Sequence, residues 1–230
     1  TSLRHSPGQG TPDYETVFDF SDTMGVLGAS EKCNGSGDCR KGPQAGGTMC
    51  PSYMATREEK HTTRARANIL RQILTEPADA EHPFNSEEIK EVMDLCLSCK
   101  ACKSECPSSV DMTKLKAEFQ QHYHEANGVP LRSRMVAHFA DSARLASFAP
   151  RLYNAFFQTP ILRRIANQLI GFHSERSIPR LNRITLRRWF AGRTPLVPTR
   201  GKRLARVHLF CDEFTNYNDL DAGIATIELL

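Results

Sequence analysis

Acid is almost missing from one stretch of this chain. Between residues 151 and 206, Glu175 stands alone against thirteen Lys and Arg residues. The stretch is net +12 and leaves −8 for the rest of a 230-residue chain whose total is +4. Such asymmetry implies an electrostatic partner. Nucleic acid is not expected in that role, because no nucleic-acid-binding motif accompanies the charge. No apolar run approaches the length of a membrane span, and no signal peptide is recognisable. A Gly-x-Gly-x-x-Gly fingerprint, a Walker loop and a Ser/His/Asp constellation are all missing. Gly42, Gly46 and Gly47 are spread around Pro43 and follow no strand, so they read as loop flexibility. The segment is therefore not expected to oxidise a substrate by itself.

What is present is an ordinary soluble composition, 40% hydrophobic and 24% charged. The chain opens on Thr1 and closes on "DAGIATIELL", so a piece of a longer protein is expected. Residues 1–16, with Pro7, Gly8, Gly10 and Pro12, read as a linker. A short helix is expected from Ser21 to about Lys32, and another from Tyr53 to Leu74. Asn85, with Glu88 three residues on, marks a further helix start. That helix runs through Ile89, Val92 and Met93 into the second cysteine run. A helix from about Asp111 to Glu125 is stopped by Asn127-Gly128. Residues 131–191 read as several helices punctuated by Pro150, Pro160, Gly171 and Pro179, and residues 192–202 as a second linker. "RVHLF" (206–210) is expected to be a strand and "DLDAGIATIELL" a helix, the opening of an α/β unit.

Seven of the eight cysteines fall in two clusters. Disulfide scaffolds are usually shorter and exported, so clustered thiols in an unexported chain favour a metal and a cytoplasmic location. One cluster is Cys96-x2-Cys99-x2-Cys102-x3-Cys106-Pro107, the spacing of the bacterial-ferredoxin run. Two-residue gaps let a tight loop wrap a cube, so three successive thiolates reach three irons. The longer gap and the proline swing the fourth thiolate away, toward the other cluster of a two-cluster protein. Zinc, the alternative, prefers two separated Cys/His pairs. The other cluster, "KCNGSGDCRKGPQAGGTMCP" (32–51), holds Cys33, Cys39 and Cys50, with Ser36 where a middle thiol would fall. Cys50 precedes Pro51 as Cys106 precedes Pro107. By that symmetry Cys50 is expected to join Cys96, Cys99 and Cys102 around a [4Fe-4S] cube, and Cys106 to join Cys33 and Cys39. Three thiolates suit a [3Fe-4S] cluster. The alternative is a [4Fe-4S] cube whose fourth iron takes Ser36, another residue or water.

The crossing pair of runs resembles the α-helical ferredoxin domain and is similar to the iron–sulfur subunit of succinate dehydrogenase and fumarate reductase. There too a Cys-x5-Cys pair and the Cys-Pro cysteine of the other run hold a three-iron cluster, the pattern of Cys33, Cys39 and Cys106. The gap from Cys39 to Cys50 is longer than in that family. The stretch "FDFSDTMGVLGASEKCNGSGDCRKGPQAGGTMCPSYMATREEKHTTRARANILRQ" more closely resembles fused FAD-binding and iron–sulfur-binding oxidoreductases of the glycolate oxidase, D-lactate and D-2-hydroxyglutarate dehydrogenase type. "TSLRHSPG" resembles the end of their flavin half. "VHLFCDEFTNYNDLDAGIATIELL" resembles the first βα unit of the cysteine-rich domain that follows, without its Cys-Cys-Gly motif.

The resemblance implies a mainly α chain. Residues 1–16 would be a linker from a flavin domain carrying FAD, and 17–128 an α-helical ferredoxin-like domain with two Fe-S clusters. A basic helical segment would fill 129–202, and 203–230 would start an α/β domain. It implies a part of an oxidoreductase acting on CH-OH groups, passing electrons from flavin to a quinone or other acceptor. A stand-alone Fe-S subunit and a zinc-stapled interaction module are the alternatives. Arg64 and Arg66 match the family's Arg-x-Arg and are candidates to offset cluster charge, as are Lys100 and Lys103; a solvated helix face is the other reading. His61, His122 and His124 are weighed as ligands or proton carriers against ordinary surface histidines, and Cys211 as a buried strand cysteine. The helices of 151–206 admit contact with anionic lipid at the inner face of a membrane, docking of a flavin domain or acceptor, or a solvated face over an apolar core, the reading adopted.

Overall fold

The computed structural model describes residues 10–193 and 207–230. The chain divides into two compact units, one ending at Gly128 and the other beginning at Val129. Among the described residues the regular structure is helical throughout, with no β-strand.

In the first unit the helix expected from Ser21 is a 3-10 turn, Ser21–Thr23, followed by α1, Gly25–Glu31. Gly28 permits that closure, because a methyl there would sit 1.9 Å from the Thr23 carbonyl oxygen. The helix expected from Tyr53 to Leu74 is two helices, α2 (Pro51–Thr56) and α3 (Thr63–Thr75). Arg57 ends α2 in the left-handed region at φ 60, and Thr62 caps α3 by accepting the Ala65 N–H at 2.9 Å. Residues 57–62 carry nothing apolar, so no buried stripe holds a helix across the break. The next helix, α4 (Glu87–Asp94), is capped by Ser86 rather than Asn85. Two more complete the unit: α5 (Ala101–Glu105) and α6 (Met112–Asn127), the latter capped by Asp111 and stopped at Gly128.

The stripe Ala67, Leu70 and Leu74 of α3 buries against Leu27 of α1, Ile89 and Met93 of α4 and Phe119 of α6. Each of these side chains larger than Ala67 contributes roughly 1.5–3 kcal/mol. One acidic residue shares this interior. Glu118 is 0% exposed, and its carboxylate accepts the N–H groups of Val17 and Phe18 at 2.8 and 3.0 Å. The His122 Nε2 lies 2.8 Å from the same carboxylate, and its ring stacks on Phe84. Residues 10–16 are irregular, and residues 1–9 of the expected linker lie outside the described residues.

The second unit is a set of short helices: α7 (Leu131–Ala137), α8 (Phe139–Ala146), α9 (Pro150–Gln158), α10 (Pro160–Ile170), α11 (Leu186–Ala191), α12 (Glu213–Tyr217) and α13 (Leu220–Leu229). Pro150 and Pro160 open their helices at the first position, where the lost N–H costs nothing. Gly171 closes α10 at φ 87. The buried Asn167 then holds the following turn, donating from Nδ2 to the carbonyls of His173, Ser174 and Arg176.

Two expectations fail in this unit. The apolar side of the basic α10 is not core, since Ile161, Ile165 and Leu169 form an exposed i, i+4, i+8 stripe on it. The strand expected at 206–210 is absent from 207–210, where Val207 and Phe210 are exposed; Arg206 lies outside the described residues. A strand needs a partner ladder, and no other described segment supplies one. Most of the 192–202 linker also lies outside the described residues.

Replacing Glu118 tests the buried anchor. Glu118→Ala strands two amide donors and is expected to cost about 2–3 kcal/mol, seen as a lower urea midpoint. Glu118→Gln, which keeps one carbonyl acceptor, should lose less.

Candidate metal centre

The two cysteine runs meet in the first unit. Cys50, Cys96, Cys99 and Cys102 line one pocket together with Thr63, Arg66, Lys100 and Met112. Cys50 and Cys102 are buried, Cys96 is half-buried and Cys99 is exposed at the rim. The backbone is bent hard to achieve this. Cys50 has φ 56, and Ser98 and Lys100 on either side of Cys99 have φ 52 and 65. Left-handed non-glycine residues cost on the order of 1–3 kcal/mol each and persist only where the surroundings impose them. Burial pushes the Cys102 thiol up.

Cys50 is the hinge between the runs. Its sulfur accepts the Thr63 N–H at 3.1 Å and lies 3.0 Å from the Thr63 hydroxyl. It also lies against Cys39. That contact pulls Cys39 down to about 6, helped by the Arg64 N–H and the Thr62 hydroxyl, and drives Cys50 strongly upward together with burial. Cys33 and Cys39 are both buried, and both draw on the Arg64 guanidinium. Arg64 also pairs with Glu59 at 2.7 Å, and Glu59 with Arg40 at 3.0 Å. Ser36 is exposed in a loop turned by left-handed Gly35 and Gly37, its N–H held by Asn34 Oδ1.

The symmetry between the two Cys-Pro pairs is one of sequence only. Cys50 opens α2 in a left-handed conformation, whereas Cys106 closes α5 in an extended one, φ −75 and ψ 127. Cys106 is half-buried against the core of its unit. Beside it, Glu105 accepts from the Thr48 N–H at 2.8 Å, the Thr48 hydroxyl at 2.8 Å and the Met49 N–H at 3.1 Å. Those bonds hold its carboxyl below the usual range, the Thr48 N–H most of all. A methyl on Gly47 would lie 2.5 Å from that carboxylate.

Among the other candidates, Arg66 belongs to the pocket and Arg64 to the Cys33–Cys39 side. Lys100 lines the pocket, while Lys103 makes a surface pair with Asp111 at 3.2 Å. The histidines serve the fold: His61 Nδ1 bonds the Thr56 hydroxyl at 2.7 Å, His122 bonds Glu118 and His124 packs edge-on to Tyr123. Cys211 is not in a strand and is half-buried. Sequence reasoning missed Thr63, Glu105, Glu118 and Lys116. Lys116 is buried, and its Nζ donates to the carbonyls of Met93 at 2.8 Å and Cys96 at 2.7 Å. Burial lowers its pKa, and Cys96 and Asp94 partly offset that. The available signal was phase: Lys116 and Glu118 share the buried side of α6 with Met112, Leu115 and Phe119.

Among the described residues no three His, Cys, Asp or Glu side chains converge as a single metal ion requires. A cluster asks for something else, thiolates spread over several irons around one cavity, and the four-thiol pocket fits that demand. Residues 32–111 match the 4Fe-4S dicluster domain family. This dicluster segment sits in a chain that resembles larger enzymes. Over 178 residues the chain is 32% identical to D-2-hydroxyglutarate dehydrogenase of Escherichia coli (strain K12), covering 63% of the chain and 17% of that protein. Over 233 residues it is 26% identical to D-2-hydroxyglutarate dehydrogenase of Pseudomonas putida (strain KT2440), covering 86% and 23%. Over 88 residues it is 26% identical to a Bacillus subtilis (strain 168) protein named "Probable glycolate oxidase iron-sulfur subunit", covering 38% and 19%. The chain thus spans less than a quarter of the length of these relatives. No solved structure gives a significant match.

Glu105 offers a test of how the runs are joined. Its carboxyl is depressed, so its contribution is present above the ordinary carboxyl range and lost as pH falls through the lowered value. Metal-free Glu105→Gln should melt below the native metal-free protein near neutral pH, and the gap should close as pH falls through the depressed Glu105 carboxyl.

Proposed function

We propose that this chain is the iron–sulfur electron-transfer segment of a FAD-dependent 2-hydroxyacid dehydrogenase of the D-lactate, glycolate or D-2-hydroxyglutarate type. In this reading Cys50, Cys96, Cys99 and Cys102 hold a [4Fe-4S] cluster. Cys33, Cys39 and Cys106 hold the second, a [3Fe-4S] cluster or a [4Fe-4S] cluster with one iron lacking a thiolate. The observation that carries it is the pocket that gathers Cys50 with three thiols of the other run. The family match over 32–111 and the printed names of the relatives support it.

Bound clusters supply one-electron transfer. The chain's own residues bind and orient: Thr63 fixes the Cys50 sulfur, left-handed Ser98 and Lys100 shape the loop that carries Cys99 at the rim, and Arg64 faces Cys33 and Cys39 with positive charge. No residue of the chain is assigned a catalytic role. Oxidation of the CH-OH carbon to a carbonyl belongs to a FAD-carrying domain upstream in the same chain. The two electrons released there leave singly toward a quinone or another acceptor. Residues 1–16 are read as the linker from that domain, 17–128 as the ferredoxin-like domain, 129–202 as a basic segment and 203–230 as the start of an α/β domain. The exposed stripe Ile161, Ile165 and Leu169, beside Arg163 and Arg164, is read as a docking face for the flavin domain or the inner face of a membrane. No described helix is long and apolar enough to cross one.

A separate subunit bound to its flavoprotein is the second reading, favoured by the printed name of the Bacillus subtilis relative. The zinc-stapled module is less favoured, since the pocket thiols do not converge on one point.

EPR of the anaerobically isolated protein, with iron and sulfide analysis, tests the assignment. An oxidised three-iron cluster is paramagnetic, and an oxidised four-iron cluster is silent. Ser36→Cys is expected to abolish the oxidised signal and raise the iron content. A protein that binds no iron and sulfide after anaerobic reconstitution overturns the proposal. A silent native spectrum with iron unchanged in Ser36→Cys overturns the three-iron form alone.

A further inference from the structure

Two cations are buried close to the four-thiol pocket, Arg66 in its wall and Lys116 behind it on the Cys96 carbonyl, and among the described residues neither is hydrogen-bonded to a carboxylate. Arg66 is 2% exposed and lines the pocket. Its donors go to the Val92 carbonyl at 2.7 Å, the His61 carbonyl at 2.7 Å and the Ser52 hydroxyl at 3.1 Å. Lys116 is 7% exposed and, among the described residues, donates only to the Met93 and Cys96 carbonyls. Every one of these partners is neutral, and the two cations lie near enough to repel each other. The nearby acids are engaged elsewhere: Asp94 pairs with Lys90 at 3.2 Å, and Glu118 serves two amides and His122. Buried charge without an opposite charge costs several kcal/mol. The negative charge within reach of Lys116 is the Cys96 thiol, as its thiolate, and, more weakly, Asp94, which is already paired with Lys90.

We infer that Lys116, with Arg66, is the built-in counter-charge of the cluster held by Cys50, Cys96, Cys99 and Cys102, and that it raises the reduction potential of that cluster above what its thiolates alone would give. The inference rests on the ligand reading above. A cube with four thiolates is net negative, and one electron more negative when reduced. A fixed cation in a low-dielectric wall therefore favours the ligated state, and the reduced state further. The competing role is structural. The Met93 and Cys96 carbonyls lie at the C-terminal end of α4, where a donor is useful whatever its charge. The two roles separate on measurement.

The experiment uses the anaerobically loaded full-length protein and its metal-free form, each as native, Lys116→Arg and Lys116→Met. EPR-monitored redox titration is expected to show a lower potential for the four-thiolate cluster in Lys116→Met, a near-native one in Lys116→Arg, and a smaller change at the second cluster. Urea denaturation of the metal-free forms is expected to leave Lys116→Met at least as stable as native, because an unpaired buried charge has been removed. A loaded Lys116→Met with native potential overturns the inference. So does a metal-free Lys116→Met that is destabilised as much as the loaded one, which also decides the matter if the variant fails to load. A native protein that binds no iron and sulfide defeats the ligand reading itself, and this inference falls with it.

Discussion

The metal centre depends on one constraint, the anchoring of Arg66. Its guanidinium binds Ser52 and the His61 carbonyl on the Cys50 side and the Val92 carbonyl on the helix that leads into Cys96. Two segments far apart in sequence are thereby set at a fixed spacing by a single side chain. A planar group with five donors suits the task, since it can satisfy three acceptors in different directions without folding on itself. The core stripe of α3 then fixes where Arg66 begins, because Ala67 and Leu70 on the same helix are locked against α1 and α4.

That anchoring explains why the cysteine loops can be so irregular. Left-handed conformations at Cys50, Ser98 and Lys100 would relax in a free peptide. Here each loop is short, begins or ends on a helix and is held by donors to sulfur or carboxylate: Thr63 to the Cys50 sulfur, Thr48 and Met49 to Glu105. Order in the first unit comes from its packed helices and is passed to the thiols through these bonds. The second unit has few buried apolar residues, Leu181, Leu186 and Leu220 among them, and relies instead on asparagines such as Asn154 and Asn167 to tie its turns.

Much of this was legible in the residues. Asp111 and Gly128 mark the ends of α6 because capping and left-handed closure are local chemistry. Pro160 and Gly171 do the same for α10. The spacing of Cys96, Cys99 and Cys102, and the proline after Cys50, were enough to anticipate which thiols line one cavity. The break at 57–62 was missed because a helix was extended over a polar stretch with no stripe to hold it. The strand expected at 206–210 does not form at 207–210 because pairing is not a property of one segment. Lys116, Glu118 and Glu105 stayed hidden because charged residues are ordinarily assigned to water. Only the phase of α6 betrays the first two, and nothing local betrays Glu105, whose partners lie in the other cysteine loop.

That last contact bears on modularity. Glu105 sits between Cys102 and Cys106, yet its carboxylate is spent on the two residues before Cys50. Neither run is a cassette that could be cut out and grafted alone. A transplanted "CLSCKACKSECP" would carry a carboxylate with no amides to receive it, and a transplanted "GGTMCP" would carry amides with no cap. The two loops form one unit of inheritance, whose smallest transferable piece includes α3, α4 and everything between.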